Sequence, residues 1–186
     1  MSGTLELCGA RSRPSQSQHS PVDFLIQQLF VRVMVCTRSA PFEPGLLSAE
    51  HIAQGTLILC VSGPVATNPS CMSIQVGPGA HLESSVAAAL QHSCAPTCVI
   101  ETFYRNGRRG LAAYALREIV PGEALTFNCL TTEYELACPF DCTCGEVGCF
   151  GRIAGWRYLT PEQRNQLLPQ LSTHLRERAI NEPAAK

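Results

Sequence analysis

The sequence predicts a mainly β, irregular α+β domain, and three observations carry that expectation. Short β-like runs recur at 56–61, 73–76, 99–104 and 110–115. Turn chemistry separates them, with Asn106-Gly107 between the last two runs reading as a hairpin. Helical spacing is confined to a short alanine-rich stretch at 84–90 and to the C-terminal segment. Many short strands with few helices point to small sheets rather than to a bundle or a doubly wound sheet.

In chain order, residues 1–21 are rich in Ser, Gln, Pro and Arg and read as a mobile leader. The apolar stretch 22–37 begins with helical spacing (Phe24, Leu25, Leu29) and ends alternating like a strand through Val33, Met34 and Val35. The β-like runs follow to about residue 115. Near the C-terminus, Thr160 can cap a helix, Pro161 fits its first turn, and Gln163 completes a capping-box spacing. That helix should end at Leu168, where Pro169 intervenes, and a second short helix is expected over 170–179.

The cysteines carry the strongest chemical signal. Cys142, Cys144 and Cys149 fall within eight residues, and Cys94 lies about fifty residues upstream. Cys142 and Cys144 are too close to bridge each other without strain, and Gly145 and Gly148 let the chain curl so that three sulfurs converge. A tetrahedral metal then needs one more ligand from elsewhere, as structural zinc sites do. The competing reading is cysteines packed as small buried hydrophobes. The total of 11 cysteines is odd, and their spacing suits metal better than a disulfide framework, so a reducing intracellular compartment is expected, cytoplasm or nucleus.

Composition removes other classes. With 14 basic against 15 acidic residues the formal charge is −1, which gives no electrostatic footprint for direct nucleic-acid binding or a polybasic membrane anchor. No run of about eighteen apolar residues is present, and residues 1–10 lack a basic region followed by an apolar one.

Several segments together resemble one family. Gln91-His92-Ser93-Cys94-Ala95-Pro96-Thr97 is similar to the Asn-His-Ser-Cys-x-Pro-Asn signature of SET domains. The run from Ala115 to Cys129 is similar to their second signature, Ala-x-Arg-x-Ile-x-x-Gly-Glu-Glu-Leu-Thr-Phe-Asp-Tyr. The cysteine cluster with Gly151 and Ile153 behind it resembles the post-SET zinc segment. Upstream, the 41–46 segment and Ile52-Ala53-Gln54-Gly55 resemble the Gly-x-Gly turn and the Ile-x-x-Gly turn of the family. The likeness covers roughly residues 39–160. It implies a SET domain (22–140) of small β-sheets with a knot-like crossing and a post-SET zinc segment (141–160); the mobile leader (1–21) and the C-terminal helical tail (161–186) lie outside it.

The resemblance implies a protein-lysine methyltransferase using S-adenosylmethionine, with zinc on Cys94, Cys142, Cys144 and Cys149. Gly45, Gln91 and His92 become cofactor-binding positions, and Phe127 the aromatic residue of the lysine channel. Methyl transfer from a sulfonium chiefly requires aligning a deprotonated amine and excluding water. In the family a tyrosine orients that amine; here Cys129 stands at its position, and a thiol is shorter and a weaker donor. Tyr134 is the nearest other phenol and the candidate substitute. Glu43 and Pro44 replace parts of the Gly-x-Gly turn, Gln91 the first asparagine and Thr97 the second. Losing two or three hydrogen bonds of ~1 kcal/mol each should weaken cofactor affinity by roughly one to two orders of magnitude.

Three functions follow: a methyltransferase with ordinary lysine methylation impaired, a SET scaffold acting on a small molecule by cyclisation or isomerisation, or a non-catalytic binding module. The substrate is accordingly a protein lysine or a small molecule. His92 reads as a structural imidazole held by backbone bonds rather than a base. Cys129 would need a nearby cation to act as a nucleophile. Trp156 is either a lid or core. Glu133 and Glu135 read as a solvated face, and Arg105, Arg108 and Arg109 as a solubilising hairpin tip.

Overall fold

The structure is a computed structural model that describes residues 45–181 and the backbone of 33–36. The leader, most of the 22–37 stretch, and Glu43 and Pro44 therefore lie outside the described residues. The strands are β1 (Val33–Cys36), β2 (Gly45–Ser48), β3 (Leu57–Gly63), β4 (Val65–Ala66), β5 (Ser73–Gly77) and β6 (Ala80–Glu83). After helix α1 (Ser85–Ala88) come β7 (Gln91–His92), β8 (Cys98–Arg105), β9 (Arg108–Ala115) and β10 (Thr126–Phe127). The C-terminal part adds β11 (Phe140–Asp141), β12 (Arg152–Ile153), helix α2 (Pro161–Leu167) and helix α3 (Thr173–Asn181).

These elements form small sheets. The central one has the order β3-β9-β8, and a second three-stranded sheet has the order β4-β6-β5. The β8–β9 hairpin closes at Arg105↔Arg108. Asn106 (φ 51°) and Gly107 (φ 75°) supply the two positive-φ positions that a tight hairpin turn needs. Along β8 the inward residues Cys98, Ile100 and Thr102 are buried, the period-two pattern of a strand with one face on the core. At the end of the 22–37 stretch the strand-like expectation holds, since Val33–Cys36 pairs antiparallel with β2.

A two-residue parallel ladder, Thr126↔Gln91 and Phe127↔His92, lays the two signature segments side by side. Thr97 fastens them. It is buried, its hydroxyl accepts from Thr126 N at 2.8 Å and donates to Ala124 O at 3.0 Å, and its own N–H donates to Thr126 Oγ1 at 3.1 Å. The threonine that departs from the signature thus keeps a complete set of bonds between the segments.

Two apolar clusters hold the molecule. The first gathers Leu46, Ile58, Ile74, Leu82, Ile100 and Leu111 from the sheets with Ile52, Ile119 and Leu125 from the segments beside them. The second gathers Leu130, Ile153, Trp156, Leu159, Leu167, Leu171 and Leu175. Cys129 packs against both. Trp156, 2% exposed, is a core residue of the second cluster, which decides between the two readings of it.

The tail folds as its capping chemistry predicts. Thr160 Oγ1 accepts from Gln163 N at 3.3 Å while Thr160 N donates to Gln163 Oε1 at 3.0 Å, with Pro161 in the first turn. A 3-10 turn at Leu168–Gln170 interrupts the helix at Pro169 before α3 begins. The tail closes back on the domain: Ser172 N donates to Thr131 O at 3.0 Å, and His174 Nε2 to Thr132 O at 2.8 Å. Among the described residues no helix is long and apolar enough to cross a membrane.

Candidate active site and metal centre

The four cysteines singled out by spacing converge. The sulfurs of Cys94, Cys142, Cys144 and Cys149 all lie within 4.8 Å of one another. Cys94 Sγ is 3.8 Å from Cys142 Sγ and 3.9 Å from Cys149 Sγ. A tetrahedral ion with metal–sulfur bonds of about 2.3 Å requires sulfur–sulfur edges of about 3.8 Å, so the cluster fits such an ion. Backbone groups prepare it: amides at Glu146 and then Cys94 hold the Cys144 thiol down at about 6, and Phe150 N donates to Cys94 Sγ at 3.4 Å. The β11–β12 pair, with Cys142 N donating to Gly151 O at 2.7 Å, fixes the loop that carries three of the four cysteines.

His92 links this cluster to the paired signature segments. Its Nδ1 accepts from Cys129 N at 3.2 Å, so its proton sits on Nε2, 3.4 Å from Cys94 Sγ. Burial lowers its pKa to about 4, which keeps the ring neutral. An imidazole N–H on a ligating sulfur is the type of support that orients a metal ligand. Both ring nitrogens are occupied, as the structural reading of this residue expects.

Gly45 and Gln91 meet at the start of β2. A Cβ on Gly45 would lie 3.2 Å from the Gln91 side-chain amide, so the space left open by the glycine is taken up by that amide. The amide is the far end of a flexible, half-buried side chain. The two positions given a cofactor role by the resemblance thus face each other, with the Gln91 amide occupying the space beside Gly45.

Behind Phe127 opens a cavity of about 450 Å³, with Ile74, Ala87, Leu90, Phe127, Leu136 and Phe140 among its apolar walls. Cys129 and Glu133 also line it, and no tyrosine is among the lining residues. Burial pushes the Cys129 thiol strongly up, with the Glu133 carboxylate adding to it, so Cys129 is a neutral thiol and not an activated nucleophile. Tyr134 does not line the cavity. Its ring packs against the second core and carries the Arg178 guanidinium 3.4 Å from its centroid and that of Arg157 at 5.7 Å.

Two features depart from the sequence reading. Glu133, expected on a solvated face, is 6% exposed; its Oε1 accepts from Gln75 N at 2.8 Å and Thr132 Oγ1 at 3.1 Å. Burial raises its pKa to about 7, against the lowering effect of those two donors. Glu135, two residues on, does lie outside and pairs with Arg157 at 2.7 Å. The reason is the turn at 129–133, where Glu133 N donates to Cys129 O and the side chain swings inward. Secondly, Cys71 and Cys138 form a disulfide across the cavity wall, with Cα atoms 5.3 Å apart. Nothing in their spacing of 67 residues signalled it, and such a bond requires oxidising conditions to form.

Comparison with known proteins agrees with this geometry. The family described as SET domain matches residues 43–130. The protein named Methyltransferase flvH from Aspergillus flavus is 29% identical over 127 residues, 66% of this chain and 68% of its own length. A histone-lysine N-methyltransferase, H3 lysine-4 specific, from Schizosaccharomyces pombe is 35% identical over 71 residues. The chain spans 38% of itself in that match but only 8% of the relative. The crystal structure of KRYPTONITE in complex with mCHG DNA and SAH shares the fold, with a TM-score of 0.51 and 19% identity over 62% of this chain and 27% of that one.

Proposed function

Because residues 43–130 are a SET domain, we propose that the protein is an S-adenosylmethionine-dependent methyltransferase whose acceptor cavity has been rebuilt, so that ordinary methylation of protein lysine is impaired. One observation carries the second half: the cavity keeps Phe127 but holds Cys129 at the position of the orienting phenol, with no tyrosine in its lining. The likeness to Methyltransferase flvH, which extends over two thirds of both chains, supports the first half.

S-adenosylmethionine, when bound, supplies an electrophilic methyl group. The chain's own residues bind, orient and exclude water: Phe127 and its apolar neighbours keep the acceptor dry, and dry surroundings favour a neutral nucleophile over a charged one. Zinc on Cys94, Cys142, Cys144 and Cys149 fastens the post-SET segment 141–160 beside the site, and His92 joins that centre to the turn bearing Cys129. A second reading, proton transfer on a small molecule without a methyl donor, is favoured by Glu133, a carboxyl titrating near neutrality in an apolar cavity.

Calorimetric titration with S-adenosylmethionine and its demethylated product separates the two. Binding weaker than that of an unaltered SET cofactor site by roughly one to two orders of magnitude, together with methyl transfer to a small acceptor, is expected. Complete silence toward both compounds removes methyl transfer and leaves the second reading.

A further inference from the structure

Cys71 and Cys138 are both exposed, and their disulfide stands at the rim of the cavity, in neither apolar cluster. It joins two walls. Cys71 belongs to the 70–74 segment that enters β5, and Cys138 to the 136–140 segment that leads into β11 and Cys142. Each segment is fastened on its own side: Ser70 N donates to Ser73 Oγ and Ser70 Oγ to Glu83 Oε1, both at 2.8 Å, while Leu136 N donates to Ala154 O at 2.9 Å. Among the described residues no main-chain hydrogen bond runs from 70–73 to 136–140, and 137–139 makes none at all. The disulfide is the tie between the walls, flanked on the rim by the exposed side chains of Met72 and Phe140.

The other described cysteines are placed differently. Cys60, Cys98 and Cys129 are buried or half-buried, and burial pushes each of these thiols up, which leaves little thiolate to react. Cys94, Cys142, Cys144 and Cys149 are gathered in the cluster that fits a metal. Among the described residues, Cys71–Cys138 is therefore the sulfur pair most open to a soluble thiol. A molecule that gathers four thiols in one cluster and holds an exposed disulfide elsewhere has the mixed usage of a redox-responsive chain, since exposed disulfides are the labile ones.

We propose that Cys71–Cys138 is a thiol–disulfide exchange site for a low-molecular-weight thiol, and that its reduction releases the two walls of the cavity mouth from each other. The thiolate of one small thiol attacks a sulfur of the pair, forming a mixed disulfide, and the other protein sulfur leaves as a thiolate and takes a proton. A second small thiol attacks its fellow in the mixed disulfide and frees the remaining protein thiol. The protein gains two electrons and two protons; the two small thiols lose them and leave joined as their own disulfide. The reverse sequence, driven by that small disulfide, closes the bond again. With the bond open, 137–139 is no longer held against 70–73, and the way into the cavity widens. The exchange site is independent of the reaction that the cavity hosts, so cofactor titration bears on the methyltransferase reading and not on this one.

The test uses the full-length protein prepared without chelator, equilibrated in glutathione buffers that run from wholly reduced to wholly oxidised. After an acid quench, free thiols are labelled with N-ethylmaleimide and each cysteine is read by peptide mapping. Cys71 and Cys138 should pass between bonded and free within that range, together, and before any oxidation of Cys94, Cys142, Cys144 or Cys149. Hydrogen exchange read by mass spectrometry in the same buffers should quicken at least about fivefold on reduction in peptides covering 70–74 and 136–140. Cys71→Ser should exchange at the reduced-state rate in every buffer, and because Cys71 is exposed the substitution leaves both apolar clusters in place. A pair that stays bonded in reduced buffer or free in oxidised buffer, or a cluster that oxidises first, overturns the exchange site. Hydrogen exchange that is flat across the buffers, or that still follows them in Cys71→Ser, overturns the release of the walls.

Discussion

Gln75 and Glu133 clasp each other's segments across 58 residues: Gln75 N donates to Glu133 Oε1 at 2.8 Å, and Tyr134 N donates to Gln75 Oε1 at 2.9 Å. The clasp ties β5 to the turn that follows the second signature and so fixes two walls of the cavity at once. It also explains why a carboxylate is tolerated inside: one oxygen has fixed donors, at the expense of leaving the other facing apolar surroundings.

Glu133 should make stability fall as pH rises. Its folded pKa, about 7, lies above the ordinary 4.5, so between those values the folded state holds more protons than the unfolded one and stability declines with pH. The full effect is about 3 kcal/mol, reached above the folded pKa. Urea unfolding at about pH 5 and about pH 8 should show that loss in the unchanged protein and little of it in Glu133→Gln. A parallel decline in both proteins would assign the slope elsewhere.

For the metal centre, we expect about one zinc per chain in protein prepared without chelator. Cys144→Ser should lose the metal and expose 140–153 to protease while the β3-β9-β8 sheet stays folded, because the ligand loop contributes to neither of the three-stranded sheets. Metal analysis by mass spectrometry of native protein is decisive; less than half an equivalent would defeat the assignment.

Replacing Cys129 by tyrosine returns a phenol to the cavity. The ring must enter between the two apolar clusters that Cys129 now joins, so a loss of about 1–3 kcal/mol is expected from overpacking. Methyl transfer to a lysine peptide should rise little, since the Gln91 amide still occupies the strip beside Gly45. A large rise from this one change would show that the cofactor side needs no repair.

Much of this was legible from residue order, and the misses share a cause. The strands, the Asn106-Gly107 hairpin, the capping box at Thr160 and the convergence of the four sulfurs each depend on neighbours within a few residues, or on a spacing that a tetrahedral cluster would demand. Glu133 and Glu135 stand either side of Tyr134 and look alike in sequence; only the 129–133 turn sends one inward. Cys71 and Cys138 pair across the cavity through contacts that no local pattern encodes. The absence of Tyr134 from the cavity follows from the same turn, which hands its ring to Arg178.

Gly155 offers a backbone test of that region. Its φ is +127°, and a Cβ would meet Tyr134 O at 2.5 Å, Glu135 Cα at 2.7 Å and Glu135 N at 2.9 Å, all of them main chain that cannot step aside. Trp156 N and Arg157 N donate to Glu133 O and Tyr134 O just beyond it. Gly155→Ala should therefore cost about 2 kcal/mol or more, seen as a lower urea midpoint with an unchanged slope.

The parallel pairing of β7 with β10 has a topological corollary. Residues 91–92 and 126–127 meet at a lower entropic cost once the β8–β9 hairpin has drawn in the chain between them, by about 0.6 kcal/mol per halving of the loop. That meeting in turn carries Cys94 toward the loop bearing Cys142, Cys144 and Cys149, so the sulfur cluster is the most deeply nested of the three closures in the topology. A chain whose parallel pair has slipped cannot present four converging thiolates. Loss of the parallel register would therefore be read out at a distance, as loss of the four-sulfur convergence.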